Sequence, residues 1–223
     1  MEEKGSLYIV NLYGGPGSGK STTAAGVFHL MKKLKKESPE TSKFNVELVT
    51  EFAKDKVYDL HSECLNNQFY TSANQHHRMW RVINYYVKNN FNKQDCIIIT
   101  DSPVLTGLFY DTNPDEKARK YLANLLYTLG NFNEFKDYFK SIEIINYIIK
   151  RNVEYFNEGR LQSSDESDEI TSKIQVLFKN NKIPFDEITT TEGTDKVFNS
   201  LKEKYNKESS DNFGDIGDFT INI

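Results

Sequence analysis

Two rhythms of apolar residues take turns along this chain. Continuous apolar runs fall at Leu7-Tyr8-Ile9-Val10-Asn11-Leu12-Tyr13, from about Asn45 to Thr50 around Val46 and Leu48-Val49, and at Cys96-Ile97-Ile98-Ile99-Thr100. Two more lie at about Ile142 to Ile149 and Ile183 to Ile188. Runs of this kind read as strands buried on both faces of a parallel sheet. Between them the spacing becomes helical. Ala24, Ala25, Val27, Phe28, Leu30, Met31 and Leu34 follow the first run, and Met79, Val82, Ile83, Tyr86 and Val87 lie in a helix predicted from Asn74 to Asn89. Leu122, Leu125, Leu126 and Leu129 recur within a helical stretch from Pro114 to Tyr138. Further helices are predicted near Asp168–Asn180 and Thr194–Tyr205. Strand and helix in alternation predict an α/β fold, a three-layer sandwich around a parallel sheet of five strands.

Composition narrows the picture. A chain of 223 residues suits one domain, over 1–206, with a weakly ordered tail over 207–223. Lys and Arg number 28 against 32 Asp and Glu, a net charge of −4, so no global basic field draws in nucleic acid. Cys64 and Cys96 form no spaced cluster, which argues against zinc and for a reduced, cytoplasmic setting. The opening Met1-Glu2-Glu3-Lys4-Gly5 is no apolar signal, and no apolar segment nears the roughly 18 residues of a membrane span. A soluble protein with no membrane partner is expected.

One segment changes everything else. Gly14-Gly15-Pro16-Gly17-Ser18-Gly19-Lys20-Ser21 fits G-x-x-x-x-G-K-[ST] without a mismatch, follows a predicted strand and opens onto the helix start Thr22-Thr23-Ala24-Ala25. Its glycines let successive backbone N–H groups turn inward onto phosphate oxygens, and the helix N-terminus adds its own. Gly14 through Thr22 are the expected nucleotide-binding residues. Lys20 should reach the β- and γ-phosphates of ATP or another NTP, and the Ser21 hydroxyl should ligate Mg²⁺.

Two acids end strands at the same edge. Asp101, in Thr100-Asp101-Ser102-Pro103, suits the second metal-holding element of such a site, directly or through water; its alternative reading is a helix cap. Glu51, in Val49-Thr50-Glu51-Phe52-Ala53, would face the phosphates from across the cleft and accept or orient the proton of an acceptor hydroxyl. Its alternative is a plain helix N-terminal acid. Lys54 and Asp55 read as surface charges.

The loop, Glu51-Phe52-Ala53, Thr100-Asp101-Ser102-Pro103 and Gly159-Arg160-Leu161-Gln162 together resemble a branch of small P-loop kinases. That branch holds the ribosylnicotinamide kinase domain of bifunctional NAD-biosynthesis regulators and phage-type proteins labelled AAA-family ATPases. More distantly, the chain is similar to deoxynucleoside and nucleoside monophosphate kinases. The resemblance covers roughly residues 6 to 205. It implies a P-loop fold of nucleotide-kinase type and a lid, over about 152–168, that brings Arg151 and Arg160 onto the transferring phosphoryl group. Ordinary surface arginines are the alternative. No trace of the sensor and arginine-finger elements of hexameric AAA machines is seen.

Acceptor contacts are expected over about 58–90, where Phe69, Tyr70, Gln75, Arg78 and Trp80 gather aromatics, an amide and an arginine. Trp80 at helical spacing reads equally well as core. The functional expectation is ATP- and Mg²⁺-dependent phosphoryl transfer to a small nucleoside-, nucleotide- or ribosylnicotinamide-like acceptor. An NTP hydrolase or polynucleotide-end kinase would need a groove built from Lys54, Lys56, Arg78, Arg81 and Lys88. A non-catalytic nucleotide sensor is the third reading.

Overall fold

The computed structural model describes residues 4–39, 43–156 and 163–206. Its strands are β1 (Leu7–Tyr13), β2 (Phe44–Val49), β3 (Asp95–Thr100), β4 (Ile142–Lys150) and β5 (Asp186–Thr189). The helices are α1 (Lys20–Glu37), α2 (Phe52–Tyr58), α3 (Gln68–Lys88), α4 (Glu116–Gly130), α5 (Ser164–Asn180) and α6 (Gly193–Asn206). The strands form one five-stranded sheet in the order β2-β3-β1-β4-β5, every pairing parallel.

Strand alternation divides the core in two. Val10, Leu12, Ile97, Ile99 and Ile149 face α1 and α6, whose Val27, Met31, Val197 and Leu201 are fully buried. Leu7, Ile9, Tyr13, Ile98 and Ile148 face α3, α4 and α5 through Met79, Ile83, Leu122, Leu126, Ile174 and Phe178. Both faces are covered, which is why the strands read as unbroken apolar runs. The three-layer parallel α/β sandwich read from the sequence is the fold observed.

Several boundaries differ from the expectation. Helix α3 begins at Gln68 rather than Asn74, because Asn67 caps it by accepting the Tyr70 N–H at 3.1 Å. The stretch from Pro114 to Tyr138 is not one helix. Helix α4 stops at Gly130, Phe132 takes a left-handed φ of 50°, and a short 3-10 turn covers Asn133–Phe135. Helix α5 starts at Ser164, set by a capping box in which Ser163 and Glu166 satisfy each other's backbone N–H groups. The expected tail over 207–223 lies outside the described residues. Among those residues no helix is long and apolar enough to cross a membrane.

Candidate active site

The sheet sets the site. Asn11 of β1 pairs with Thr100 of β3, so the loop after Tyr13 and the turn at Asp101 leave neighbouring strands at one carboxyl edge. Strand β1 leads toward β2 on one side while β4 leads to β5 on the other, the kind of divergence at which open α/β sheets place ligands. Residues Gly14 to Gly19 connect β1 to α1. Gly19, in the N-cap position at φ 88°, has backbone geometry that a side chain rarely adopts, and a Cβ there would lie 2.7 Å from Thr190 Cγ2.

No side chain caps α1, and its first turn holds no acid. Helix geometry leaves the first-turn N–H groups, those of Ser21 and Thr22 among them, without intrahelical acceptors. Ser21 and Thr22 are exposed at this positive end of the helix, which suits an anion. The Lys20 ammonium folds back over the loop, donating to the carbonyls of Gly14 at 2.7 Å and Gly15 at 2.9 Å.

From behind, hydroxyls hold the loop in shape. The Gly15 N–H donates to Thr171 Oγ1 at 2.9 Å, Ser167 Oγ donates to the Pro16 carbonyl at 2.5 Å, and Thr190 Oγ1 donates to the Ser18 carbonyl at 3.0 Å. A Cβ on Gly15 would stand 2.0 Å from the Ser167 carbonyl oxygen, so α5 packs directly against the loop backbone. The Ser18 hydroxyl is buried and has no partner among the described residues.

Two acids stand at this edge of the sheet. Asp101 is 5% exposed, and its Oδ1 is buried with no hydrogen-bond partner among the described residues. An unpaired buried carboxylate oxygen is costly unless a cation or donor meets it. Glu51 holds the N-cap position of α2 without capping it. Burial raises its carboxyl pKa above the usual glutamate range; Lys20 opposes that shift, Asp101 adds to it, and Lys54 opposes it. Glu51, Lys20 and Asp101 thus share one electrostatic neighbourhood. The hydroxyl of Ser21 and the carboxylate of Asp101 are the hard oxygen donors that Mg²⁺ takes. Among the described residues no cluster of three His, Cys, Asp or Glu could hold a metal alone. A cation here would draw its other ligands from phosphate and water.

Arg151, at the end of β4, has a guanidinium with two anchors. Its Nη2 donates to Asp168 Oδ2 at 2.6 Å and to Ser164 Oγ at 2.7 Å, and it lies 5.0 Å above the Tyr155 ring. Its Nε is buried without a partner among the described residues. Arg160 lies outside the described residues. Of the lid expected over 152–168, residues from Ser164 onward form the start of α5, with Ser163 as its cap and Ser167 bonded to the loop.

The acceptor candidates divide. Gln75 is 3% exposed; its amide oxygen accepts the Phe52 N–H at 2.8 Å, and its nitrogen reaches Thr50 O and Thr100 Oγ1, both at 3.4 Å. That amide ties the ends of β2 and β3 together, so its polar atoms are already engaged. Trp80 is partly buried and packs against the α3/α4 core, 6.1 Å from Phe135 and 6.0 Å from His77. Arg78 pairs with Asp55, lies 5.2 Å from the Phe52 ring and reaches the Thr50 and Glu51 carbonyls at 3.4 Å. It braces the turn that carries Glu51, and Asp55 is its partner rather than a mere surface charge. Phe69 and Tyr70 are partly exposed, Tyr70 meeting Phe52 edge-on at 5.6 Å.

One further residue belongs here. Tyr110 follows the 3-10 turn Val104–Phe109, and its phenol is raised in pKa first by burial, then by the charges of Glu51 and Tyr155. It stands near Glu51 and Tyr155, and no motif marked it. Ser167, Thr171 and Thr190 were equally unmarked, because single hydroxyls carry no sequence signature.

Comparison with solved structures agrees on the fold. The crystal structure of thymidylate kinase from Ehrlichia chaffeensis matches over 88% of this chain and 99% of its own, with a TM-score of 0.54 and 16% identity. At that identity the likeness speaks for a nucleotide-kinase-like P-loop fold alone. The protein designated APE1195 aligns over 92% of this chain and 97% of its own at 15% identity, and its TM-score of 0.32 carries no argument. No protein-family model and no curated protein matches the chain.

Proposed function

We propose that the protein is an ATP- and Mg²⁺-dependent kinase that transfers a phosphoryl group to a small nucleoside-, nucleotide- or ribosylnicotinamide-like acceptor. The observation that carries this reading is the convergence of Lys20, Asp101 and a protonation-shifted Glu51 at the phosphate loop. A buried carboxylate across the cleft is suited to orient an acceptor hydroxyl and to take its proton. The thymidylate kinase likeness supports the same choice of reaction class.

Phosphoryl transfer asks a protein for positioning and charge stabilisation above all. The loop N–H groups and the α1 terminus would bind the donor phosphates, with Lys20 on their outer oxygens. Ser21 and Asp101 would hold Mg²⁺, which supplies charge neutralisation across the phosphates. Glu51 would orient the acceptor hydroxyl and take its proton, aided by its place beside Tyr110. Arg151, already at the cleft edge, is the guanidinium suited to the transferring group, once it exchanges Asp168 for phosphate oxygens. Its present partner, Asp168, lies in the first turns of α5.

The reading is tested by incubating the protein with ATP, Mg²⁺ and a panel of nucleosides, nucleoside monophosphates and ribosylnicotinamide, with mass-spectrometric detection of an added phosphoryl group. A phosphorylated product from at least one class supports it; ATP consumption with every acceptor unmodified rejects it.

A further inference from the structure

On the α4/α5 side of the sheet lies a cavity of about 350 Å³. Asn131, just past α4, and Lys182, just past α5, line it together with Tyr13, the last residue of β1 before the phosphate loop. Protein interiors hold few voids larger than a water molecule, and this volume is in the range of small-ligand pockets. Its walls are apolar and aromatic, with Tyr13, Met79, Leu126 and Phe178 among them.

Its sheet wall is not. Asn11 and Asn146 are register partners on β1 and β4, 5% and 6% exposed, on the face otherwise given to Leu7, Ile9, Tyr13, Ile144 and Ile148. Strand alternation calls for apolar side chains at both positions. Asn11 Nδ2 donates to Asn146 Oδ1 at 3.0 Å, and Asn146 Nδ2 donates to the Pro184 carbonyl at 3.0 Å. The Asn11 amide oxygen accepts no hydrogen bond among the described residues, and one Asn11 N–H is unspent. A buried amide thus presents an acceptor and a donor side by side into an apolar cavity. At the mouth Lys182, exposed at a left-handed φ of 53°, makes no ion pair among the described residues.

We propose that this cavity is a ligand site separate from the phosphate loop, and that it takes a small flat molecule with a lactam edge and an anionic substituent. The ring lies between the apolar walls, its N–H meets the Asn11 oxygen, its carbonyl accepts from the Asn11 N–H, and its anion reaches Lys182. A lactam offers the complementary donor and acceptor at adjacent atoms. Lys182 is the one ionised group among the described lining residues, so an uncharged body suits the walls and the substituent is an anion. The assignment does not depend on the kinase reading.

Calorimetric titration of the full chain with three probes tests it: 2-quinolinone-4-carboxylate, its N-methyl derivative, and 2-quinolinone without the carboxylate. The carboxylate probe is expected to bind one-to-one with a Kd of about 1 mM or tighter. N-methylation is expected to weaken it by about tenfold or more, since the Asn11 oxygen then stays unpaired. Lys182→Ala, at an exposed position, should bring the carboxylate probe to the affinity of the carboxylate-free one, and Asn11→Ala should erase the penalty of N-methylation. A saturating non-hydrolysable ATP analogue with Mg²⁺ should leave the probe bound. No saturable binding, equal affinity for the N-methyl derivative, indifference to Lys182→Ala, or displacement by the ATP analogue would each overturn the assignment.

Discussion

The backbone N–H of Gly15 donates to the hydroxyl of Thr171 at 2.9 Å, across 156 residues of chain. The bond fixes one side of the phosphate loop to helix α5; Pro16 has no N–H and the Ser18 N–H donates to the Gly15 carbonyl at 3.2 Å, which leaves those of Gly17 and Gly19 for a ligand. With Ser167 on the Pro16 carbonyl and Thr190 on the Ser18 carbonyl, loop shape depends on α5 and on the turn after β5.

Replacing Thr171 with Val keeps the side-chain volume and removes the acceptor, leaving the Gly15 N–H buried and unpaired. The expected loss is about 1–3 kcal/mol of unfolding free energy, with weaker ATP binding. Thr171→Ser should restore most of both. Denaturant unfolding and a nucleotide titration of the variants would check this; a Val variant equal to the wild type in both would deny the hydroxyl its role.

Lys20→Ala should leave the fold intact, because the Lys20 ammonium contacts the loop carbonyls from a half-buried position. Its effect should appear in turnover, lowered by about a hundredfold or more as for other preorganised charge contacts. Steady-state ADP release measures it, and undiminished turnover would remove Lys20 from the reaction.

Glu51 ties stability to pH. Burial raises its pKa in the folded chain, so between the ordinary glutamate value and the raised one the native state binds more protons than the unfolded state. Stability contributed by this group therefore falls as pH rises through that window, and the deficit persists at neutral pH. Glu51→Gln should raise the melting temperature at neutral pH while lowering kcat. If Glu51 accepts the acceptor's proton, the acid limb of kcat/KM should have its midpoint above the ordinary glutamate value and vanish in Glu51→Gln. A pH–rate series on both proteins, with melting curves, reads both effects.

Arg151 offers a test of geometry rather than charge. Its Nη2 alone serves both Asp168 and Ser164, and the planar fork that carries Nη1 and Nε beside it is what a lysine ammonium lacks. Arg151→Lys should lower kcat nearly as far as Arg151→Ala. Asp168→Asn should change kcat less than either, because it loosens the anchor and leaves the guanidinium. If Arg151→Lys retains wild-type kcat, the planar fork is irrelevant to the transfer.

The sheet and the phosphate loop were legible because each leaves a continuous local pattern: unbroken apolar runs for strands buried on both faces, and glycines with Lys20-Ser21 in one frame. Asp101 was legible because an acid follows a buried run. The start of α3 was not, for a physical reason. Its first turns bury Gln68, Ser72 and Gln75 at helical spacing, and polar residues facing the core hide the apolar period. Asp165 and Glu166 lie in the first turn of α5, and Asp168 just after them holds Arg151, a pairing between strand end and helix that no local pattern records. Tyr110 was missed because its proximity to Glu51 arises only when the turn after β3 folds next to the start of α2.

Whether ATP is spent on an acceptor or on water is the question on which the functional reading stands. ³¹P NMR of a single reaction with ATP, Mg²⁺ and the best acceptor from the panel follows ADP, phosphorylated acceptor and inorganic phosphate together. Transfer is expected to yield ADP and phosphorylated acceptor in equal amounts, with little inorganic phosphate, and to slow by about a hundredfold or more in Lys20→Ala. Equal amounts of ADP and inorganic phosphate, with the acceptor unchanged across the panel, would contradict it.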